Sequence, residues 1–441
     1  MKRHITMIIA SLLAMLAFAT GLHHYYPLQA SGEPQLTQNT KPVLWVTSDT
    51  HFIAPSLHDN KQAFQWIQGS AAGKDLKDQP IAIKAFVHAA IKARPTAVII
   101  TGDVTFNGEL ASAHSIAKRL APLEQHGIRL LIIPGNHDIY DGWARKFSGK
   151  DQLPVAQISP NDWQSIFHDG YDHAAAKDGN SLSYAVNLNQ DYQLLMLDDN
   201  NYTVQPSHLA PNTGGRLRAA SLQWIQARLV KAQAQGRKTL VFMHHNLYVH
   251  SSHVSDGWVL DNAASLRKLL AKYQVPVVFS GHIHAQDISA DPDGKYAIKE
   301  IISASFTQTP GIFGVVTLTK NHFRYRTANQ DLTPVLKTNY RGPLRHYQQH
   351  LKTQFIDTQA LPIVFQQAKE AGLTGADLRN ATNFLAELNW RFFAGADSKG
   401  LASLKQLPGY SAVMHNATLK RHVQDMLEDT NLPDRQLDLN Y

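Results

Sequence analysis

The chain has 441 residues, a formal net charge of +7 at pH 7 and no cysteine. Because cysteine is absent, disulfides, thiolate metal sites, a cysteine nucleophile and a lipid-modified cysteine anchor are excluded. The positive charge favours anionic partners, but no dense run of Lys and Arg marks a nucleic-acid face, so no stable nucleic-acid partner is expected.

The N-terminus predicts export from the cytoplasm. The basic start "MKRH" is followed by an apolar run from Ile5 to Leu16 and by the small-residue site Ala17-Phe18-Ala19, which is the layout of a secretory signal. The apolar character continues toward Leu22, so an uncleaved membrane anchor is the alternative for residues 1–30. Both interpretations predict an extracytoplasmic protein, either secreted or anchored. The membrane and the cell wall are therefore candidate partners.

After a polar linker at residues 31–41, strand and helix patterns alternate. The predicted strands of the core are Val43–Ser48, Ala97–Thr101, Arg129–Pro134, Thr239–Met243 and Val275–Ser280. The predicted helices between them are Pro80–Ala93, Glu109–His126, Ala219–Gln235 and Asn262–Lys272. Two hairpin patterns, Ser181–Leu197 and the run from Gly314, add antiparallel strands. The fold class is therefore predicted as α/β with two mixed sheets.

The pattern changes near Thr327, beyond which strand signals stop and helical segments dominate. The predicted helical segments are Pro343–Lys352, Thr358–Ala371 and Thr374–Phe393. We therefore predict a main domain at residues 42–328 and a helical C-terminal domain at residues 329–441 that packs against it.

Five predicted strands end on polar residues that can bind metal ions or take part in proton transfer. In chain order these residues are Asp49 and His51, then Asp103, then Asn136, His137 and Asp138, then His244 and His245, and last His282 and His284. Open α/β sheets bind their ligands at the carboxyl ends of the strands. A single such motif is usually only a turn, but five in succession predict one functional site.

The motifs "DTH", "GDVTFNG", "GNHD", "MHH" and "GHIH" together resemble the signature of the calcineurin-like metallophosphoesterases. The resemblance covers residues 43–328 and implies a four-layer α/β/β/α sandwich with a binuclear metal centre at the strand ends. It implies Asp103 as the bridging ligand and two further sets of ligands: Asp49, His51 and His284 for one ion, and Asn136, His282 and a histidine of "MHH" for the other. The spacing of "MHHN" favours His244 over His245 for the last position.

The ligand chemistry agrees with this resemblance. Carboxylate, imidazole and amide ligands without thiolate suit Mn, Fe or Zn as two divalent cofactors. Two such ions, about 3.5–4 Å apart, can clamp the oxygens of a displacement at phosphorus and lower the pKa of bound water to about 7. Such a centre hydrolyses phosphate esters by attack of a metal-bound hydroxide, without a serine or cysteine nucleophile.

Two neighbouring residues receive catalytic roles. His137 resembles the family's non-ligand histidine, which contacts the phosphate and protonates the leaving oxygen. Asp138 is predicted to orient His137.

The substrate is less well determined by the sequence. Candidate substrate contacts are Asn107, His245, His250 and His253, of which the last two lie in a long loop after the "MHH" strand. The long helical C-terminal extension is similar to that of bacterial exported cyclic-nucleotide phosphodiesterase-like proteins, which implies a small phosphodiester such as a 2′,3′- or 3′,5′-cyclic nucleotide. The alternatives are a phosphomonoesterase or nucleotidase, a wall-polymer phosphodiesterase and, in a different class, a non-catalytic surface binding module.

Overall fold

The strands of the chain assemble into two large mixed sheets and one separate hairpin. The structure is a computed structural model that describes residues 33–250, 255–396, 401–427 and 432–441. The predicted signal or anchor segment, residues 1–30, lies outside these residues. Within them, no helix combines the length and the apolar character needed to cross a membrane.

The described strands and helices include all of the predicted core elements. In chain order the strands are β1 Val43–Thr47, β2 Ala97–Thr101, β3 Arg129–Ile133, β4 Arg145–Ser148, β5 Asp151–Pro154, β6 Ala176–Lys177, β7 Tyr184–Asn187, β8 Tyr192–Met196, β9 Lys238–Phe242, β10 Val277–Ser280, β11 Asp287–Ala290, β12 Lys299–Ile302, β13 Ile312–Thr319, β14 His322–Asn329 and β15 Gln436–Asn440. The helices are α1 Gln62–Ser70, α2 Gln79–Ala93, α3 Leu110–Gln125, α4 Pro160–Ile166, α5 His168–Asp172, α6 Ala219–Ala234, α7 Ala263–Lys272, α8 Tyr347–Phe355, α9 Leu361–Glu370, α10 Gly375–Phe393, α11 Leu401–Leu404, α12 Tyr410–His415 and α13 Ala417–Leu427.

The strand order explains why the predicted motifs meet. The first sheet has the order β15-β14-β13-β1-β2-β3, in which β1, β2 and β3 run parallel. The second has the order β11-β12-β10-β9-β8-β7-β6, in which β8, β9, β10 and β12 run parallel. Parallel strands end at the same edge of their sheet, so the polar residues that follow them converge.

Alternating apolar residues in the second sheet separate two cores. Leu194 and Phe242 belong to the core that the two sheets share, whereas their neighbours Leu195 and Val241 belong to a core with α6 and α7. Because successive residues of a strand point to opposite faces, continuous apolar strands are buried on both faces. This arrangement confirms the predicted α/β fold with two mixed sheets, with helices over the outer face of the second sheet.

The C-terminal helices form a core of their own and also contact the sheets. Phe384, Leu385 and Val423 are buried in this core, whereas Tyr347 and Leu351 of α8 are buried in the main one. A helical C-terminal region is therefore confirmed. Residues Gln35 to Tyr441 form one compact unit, and the division at residue 329 stays a prediction.

One expectation about this region was wrong. Strand patterns were expected to stop near Thr327, but Gln436–Asn440 pairs antiparallel with β14 and becomes the edge strand of the first sheet. The segment "QLDLN" is too short and too polar to be predicted as a strand from its sequence. It forms a strand because it pairs with a distant partner.

Candidate metal centre

The residues at the strand ends are held by an unusual backbone conformation. Asp49, His51, Asp103, His282 and His284 all have positive φ angles, between 39° and 71°. A non-glycine residue rarely adopts this left-handed conformation, and such residues cluster at functional sites. The turns point these side chains back across the strand ends and into one buried space.

The first cluster contains four of the predicted ligands. The Nε2 atoms of His51 and His284 lie 3.0 Å apart. Asp49 Oδ1 is 3.3 Å from His284 Nε2, and Asp103 Oδ2 is 3.5 Å from His51 Nε2. The ligand atoms of Asp49, His51, Asp103 and His284 thus surround a single position that fits one metal ion.

The second cluster contains Asp103 again, with His244 and His282. His244 Nε2 lies 3.5 Å from Asp103 Oδ1 and 3.2 Å from Asn136 Oδ1. The other nitrogen, Nδ1 of His244, donates to the carbonyl of Thr101 at 2.8 Å, so Nε2 is free to act as a ligand.

His282 is oriented in the same way by backbone carbonyls. Its Nε2 lies 3.0 Å from the carbonyl oxygen of Thr213 and 3.1 Å from that of Gly257, which leaves Nδ1 for the cluster. Outer hydrogen bonds of this kind fix the tautomer and the ring orientation of a metal-binding histidine.

Asp103 lies between the two clusters and turns one carboxylate oxygen toward each. Gly135 is needed beside it, because a Cβ atom at this position would collide with the Asp103 carboxylate. Asp103 also accepts a hydrogen bond from the backbone N–H of His137 at 2.9 Å. This placement is the one expected of a bridging ligand.

The electrostatics of the clusters fit divalent cations. Burial lowers the pKa of His51, His282 and His284, which keeps these imidazoles neutral, as metal ligands must be. Burial also lowers the pKa of His244, but the adjacent Asp103 carboxylate outweighs it and raises the value to about 10. The Asp103 carboxylate thus favours positive charge at this cluster.

His137 lies beside the first cluster, with its ring centroid 5.2 Å from that of His51. Its Nδ1 donates to Oδ1 of Asn107 at 2.9 Å and lies 3.5 Å from Asp141 Oδ2. Burial lowers its pKa, but the carboxylates of Asp103 and Asp141 produce a net rise. Asn107, predicted as a substrate contact, is thus placed as a partner of His137.

The predicted role of Asp138 as the partner of His137 is wrong. Its carboxylate accepts hydrogen bonds from the backbone N–H groups of Val104, Thr105 and Gly135 at 2.8–3.0 Å, and from the Thr105 hydroxyl at 2.7 Å. Asp138 therefore ties the β2 and β3 strand ends together. The residues next to the His137 ring are Asn107 and Asp141. Asn107 was predicted as a substrate contact, and Asp141 was not predicted at all.

His245 is also not where a substrate contact belongs. It is fully buried, its Nε2 donates to the Thr213 carbonyl at 3.1 Å, and its backbone N–H donates to Asp199 at 3.0 Å. A ring with no exposed surface does not form the rim of an opening. The structure places His244, and not His245, among the candidate ligands.

The third corrected residue is His250, which is buried and is paired with two carboxylates. Its Nδ1 pairs with Asp287, and its Nε2 lies 2.9 Å from Glu300 Oε2. Burial lowers its pKa, but Asp287 and then Glu300 outweigh it and raise the pKa to about 10. The prediction from loop position was wrong because the His250 side chain points into the protein and pairs with Asp287 and Glu300. His253 lies in residues 251–254, outside the described residues.

A cleft opens beside Asn136, with a volume of about 270 Å³. Its lining includes Tyr140 and Asp141 on one side and Asn201, Tyr202 and Asn212 on the other. The second group belongs to the long loop between β8 and α6. The cleft is close to the lower limit for small-molecule sites, and its aromatic and amide side chains can contact an organic group attached to phosphate.

Lys74 was not singled out in the sequence, yet its charge acts on two candidate ligands and adds to burial in lowering the pKa of His51 and His284. It is only 8% exposed, and burial lowers its pKa to about 8, against the opposing effect of Asp103 and Asp49. The lysine stands in an ordinary loop segment, "GKDLKD", that no motif marks. Only the fold produces this effect.

A third group of potential ligands lies at the junction of α2 and α8. His350 Nε2 is 3.7 Å from Asp75 Oδ2 and 3.9 Å from Asp78 Oδ2. Burial, followed by the charge of Asp78, raises the pKa of Asp75 to about 7. These residues join the C-terminal helices to the main sheets.

Two family models match the sequence. The sequence model of the calcineurin-like phosphoesterase family matches residues 42–286, more than half of the chain. A second model, the C-terminal domain of cyclic nucleotide phosphodiesterase, matches residues 337–432.

Two curated proteins are similar over part of their length. A probable cyclic nucleotide phosphodiesterase of Vesicomyosocius okutanii is 27% identical over 188 residues, which cover 42% of this chain and 61% of that protein. The 3′,5′-cyclic adenosine monophosphate phosphodiesterase of Escherichia coli K12 is 26% identical over 199 residues, covering 45% and 57%. The chain thus spans about three fifths of the length of these relatives.

Among solved structures, a dimetal phosphatase from Danio rerio is similar in fold. It is 13% identical, with a TM-score of 0.49 and coverage of 66% of this chain and 96% of that one.

Proposed function

Because the chain belongs to the calcineurin-like phosphoesterase family, we propose that it is a metal-dependent hydrolase of small phosphodiesters, with 2′,3′- or 3′,5′-cyclic nucleotides as the leading substrates. The observation that carries the proposal is the pair of clusters that share Asp103. The printed names of the two curated relatives and of the C-terminal family model support a cyclic nucleotide as substrate.

The chain offers seven side chains to two divalent ions. Asp103 would contact both ions, with Asp49, His51 and His284 holding the first and Asn136, His244 and His282 holding the second. When bound, such ions supply Lewis-acid charge and an activated water at the phosphorus. The mixture of oxygen and nitrogen ligands favours Mn, Fe or Zn.

His137 is suited to assist departure of the leaving group. The Oδ1 atom of Asn107 accepts a hydrogen bond from Nδ1 of His137 and so orients the ring. The other nitrogen, Nε2, carries a proton when the ring is protonated. The carboxylates of Asp103 and Asp141 favour the protonated ring, which can donate a proton to the leaving oxygen. Asn107 and Asp141 are then positioning residues for His137.

The cleft beside Asn136 supports a small diester over a polymer. Its volume of about 270 Å³ suits a mononucleotide-sized group better than a long chain. Tyr140 and Tyr202 offer ring surfaces, and the amides of Asn201 and Asn212 offer hydrogen bonds.

We also propose that the protein acts outside the cytoplasm. The support is the basic, apolar and small-residue order of residues 1–30. Fractionation of cells that express the full chain would find it in the extracytoplasmic or membrane fraction; recovery in the cytosol would contradict the proposal.

The test of the activity is hydrolysis by the chain from Ser31 onward, loaded in turn with Mn, Zn and Fe. Bis-(p-nitrophenyl) phosphate and cyclic nucleotides are expected to be better substrates than p-nitrophenyl phosphate. Preference for the monoester would instead favour a phosphatase or nucleotidase, and hydrolysis of wall polymers alone would favour that substrate class.

The control is Asp103→Asn, which keeps the shape of the side chain but removes the shared charge. We expect it to lose metal, measured by elemental analysis, and at least about 100-fold in kcat/KM. Unchanged partner binding with no hydrolysis by either form would favour a non-catalytic binding module.

A further inference from the structure

The third group of potential ligands, Asp75, Asp78 and His350, shares no residue with the two clusters around Asp103. Its three ligand atoms all lie within 4.8 Å of one another. Nε2 of His350 is 3.7 Å from Oδ2 of Asp75 and 3.9 Å from Oδ2 of Asp78. Ligands about 2.0–2.2 Å from one Zn²⁺ ion lie about 3.5 Å apart in a tetrahedral site. The two distances from His350 are slightly longer than this spacing, and small rotations of the side chains would bring the three atoms onto one ion.

The imidazole of His350 has a nitrogen that lacks a hydrogen bond. Its Nε2 atom is shielded from solvent and finds no hydrogen-bond partner among the residues that the structure describes. Both carboxylates lie in front of it, but too far away for a hydrogen bond. Leaving a buried nitrogen without a partner costs free energy. Nε2 is therefore available as a metal ligand, and it faces the two other ligands.

The two carboxylates reach this nitrogen from the segment that precedes α2. Asp75 is only 1% exposed, and its backbone N–H donates to the carbonyl of Thr307 at 2.7 Å, which fixes its position. Asp78 stands at the N-cap of α2, where an aspartate usually accepts a hydrogen bond from the helix, yet its side chain forms none. Burial, followed by the charge of Asp78, raises the pKa of Asp75 to about 7. A divalent cation beside the pair would favour the ionised form of both carboxyl groups.

We propose that Asp75, Asp78 and His350 bind a third divalent ion, such as Zn²⁺, which fastens α8 to the segment before α2. One imidazole and two carboxylates form a ligand set that suits zinc and related borderline ions. The side chains of His350 and Asp78 are 23% and 25% exposed, which leaves access for the ion and for water as a further ligand. The ion is structural, because its ligands join two segments that are distant in the chain. The proposal is independent of the proposed function, since no ligand is shared with the Asp103 clusters.

The experiment counts the Zn²⁺ ions that the full chain binds. It compares His350→Ala with His346→Ala, because His346 is exposed and lies only four residues earlier. Both substitutions are made in the wild-type chain and in Asp103→Asn, which lacks the shared charge of the other two clusters. Each protein is saturated with Zn²⁺, passed through gel filtration and analysed for zinc, and its thermal unfolding is measured with and without Zn²⁺. Asp78→Asn serves as a second variant in case His350→Ala does not fold.

We expect His350→Ala and Asp78→Asn each to bind one zinc ion fewer per chain than His346→Ala, in both backgrounds. Zn²⁺ should also raise the unfolding midpoint of His346→Ala by more than that of His350→Ala, because an ion that binds only the folded state stabilises it. Equal zinc content in His350→Ala and His346→Ala would overturn the proposal and leave the group as an ion pair of a protonated histidine with two carboxylates. If the zinc difference is found but no diester is hydrolysed by the wild type, the proposed function fails and the third site stands.

Discussion

At the scale of single residues, the site combines strained ligands with buried carboxyl groups. Five of the candidate ligands have left-handed backbone conformations, each of which costs free energy that the surrounding fold must offset. Substituting any of them therefore changes both local strain and metal binding. Residues outside the clusters give cleaner tests of the electrostatics.

Glu109 is such a residue, since burial raises the pKa of its carboxyl group to about 8. A carboxyl group with a higher pKa in the folded state keeps its proton on folding, so stability is lost as the pH rises from the unfolded value toward 8. When the pH rises from 5 to 8, the wild type should lose on the order of 3 kcal/mol of unfolding free energy relative to Glu109→Gln, which has no carboxyl group to titrate. Urea unfolding at both pH values measures this.

Parallel pH profiles for wild type and Glu109→Gln would contradict the prediction. The comparison between the two proteins cancels the contribution of other buried carboxyl groups, such as Asp75 and Asp138, because both proteins contain them.

His250 gives a second test at this scale. His250→Ala leaves the buried carboxylate of Glu300 without its cationic partner, which should cost about 3 kcal/mol of unfolding free energy. Metal content and KM for the diester should stay near the wild-type values. A raised KM with unchanged stability would instead return His250 to the substrate site.

At the scale of elements, α8 connects the helical region to the main core and to the loop that contains Gly73 and Lys74. Gln354 donates to the carbonyl of Lys74, and Phe355 packs against Gly73 of the same loop. On the same helix, Tyr347 and Leu351 enter the main core. The helix thus positions a loop whose own sequence would leave it free.

Gln354→Ala should therefore lower the unfolding free energy by about 1 kcal/mol, because the carbonyl of Lys74 loses one hydrogen-bond donor. Urea unfolding measures this loss. Gln349→Ala on the exposed side of α8 is the matched control. Metal content should be normal in both variants, and an equal effect of the two substitutions would contradict a specific role for Gln354.

At the scale of the whole molecule, the C-terminal region contacts the segments next to the sheets and adds a strand to one of them. Trp390 of α10 donates from Nε1 to the Thr309 hydroxyl at 2.8 Å, and Gln286 donates to the Asp434 carbonyl at 2.7 Å. The strand β15 then covers the edge of β14. An uncovered strand edge invites pairing with other chains.

Removal of residues 330–441 should consequently give an insoluble or aggregated protein. The truncation exposes the β14 edge and the apolar surface that Tyr347 and Leu351 cover. Soluble yield and size-exclusion chromatography measure the outcome. A soluble remainder with full activity would show that the helical region is a separate module.

The sequence by itself determined the architecture and the candidate ligand set. Apolar strand runs followed by Asp, Asn and His define which strands are buried and which residues stand at their carboxyl ends. Because parallel strands end at one edge, this local information is enough to bring the motifs together. The predicted strand and helix bounds differ from the observed ones by only one or two residues for the core elements.

Tertiary structure alone decided the residues around that set. The loop of Lys74 is held by α8, some 280 positions away in the chain, and "QLDLN" becomes a strand only beside β14. Asp138 and His250 received other partners than their positions in the sequence suggested. In each case the decisive contact joins segments that are distant in the chain. A local sequence pattern does not indicate which distant group will pair with a buried charge or with the edge of a strand.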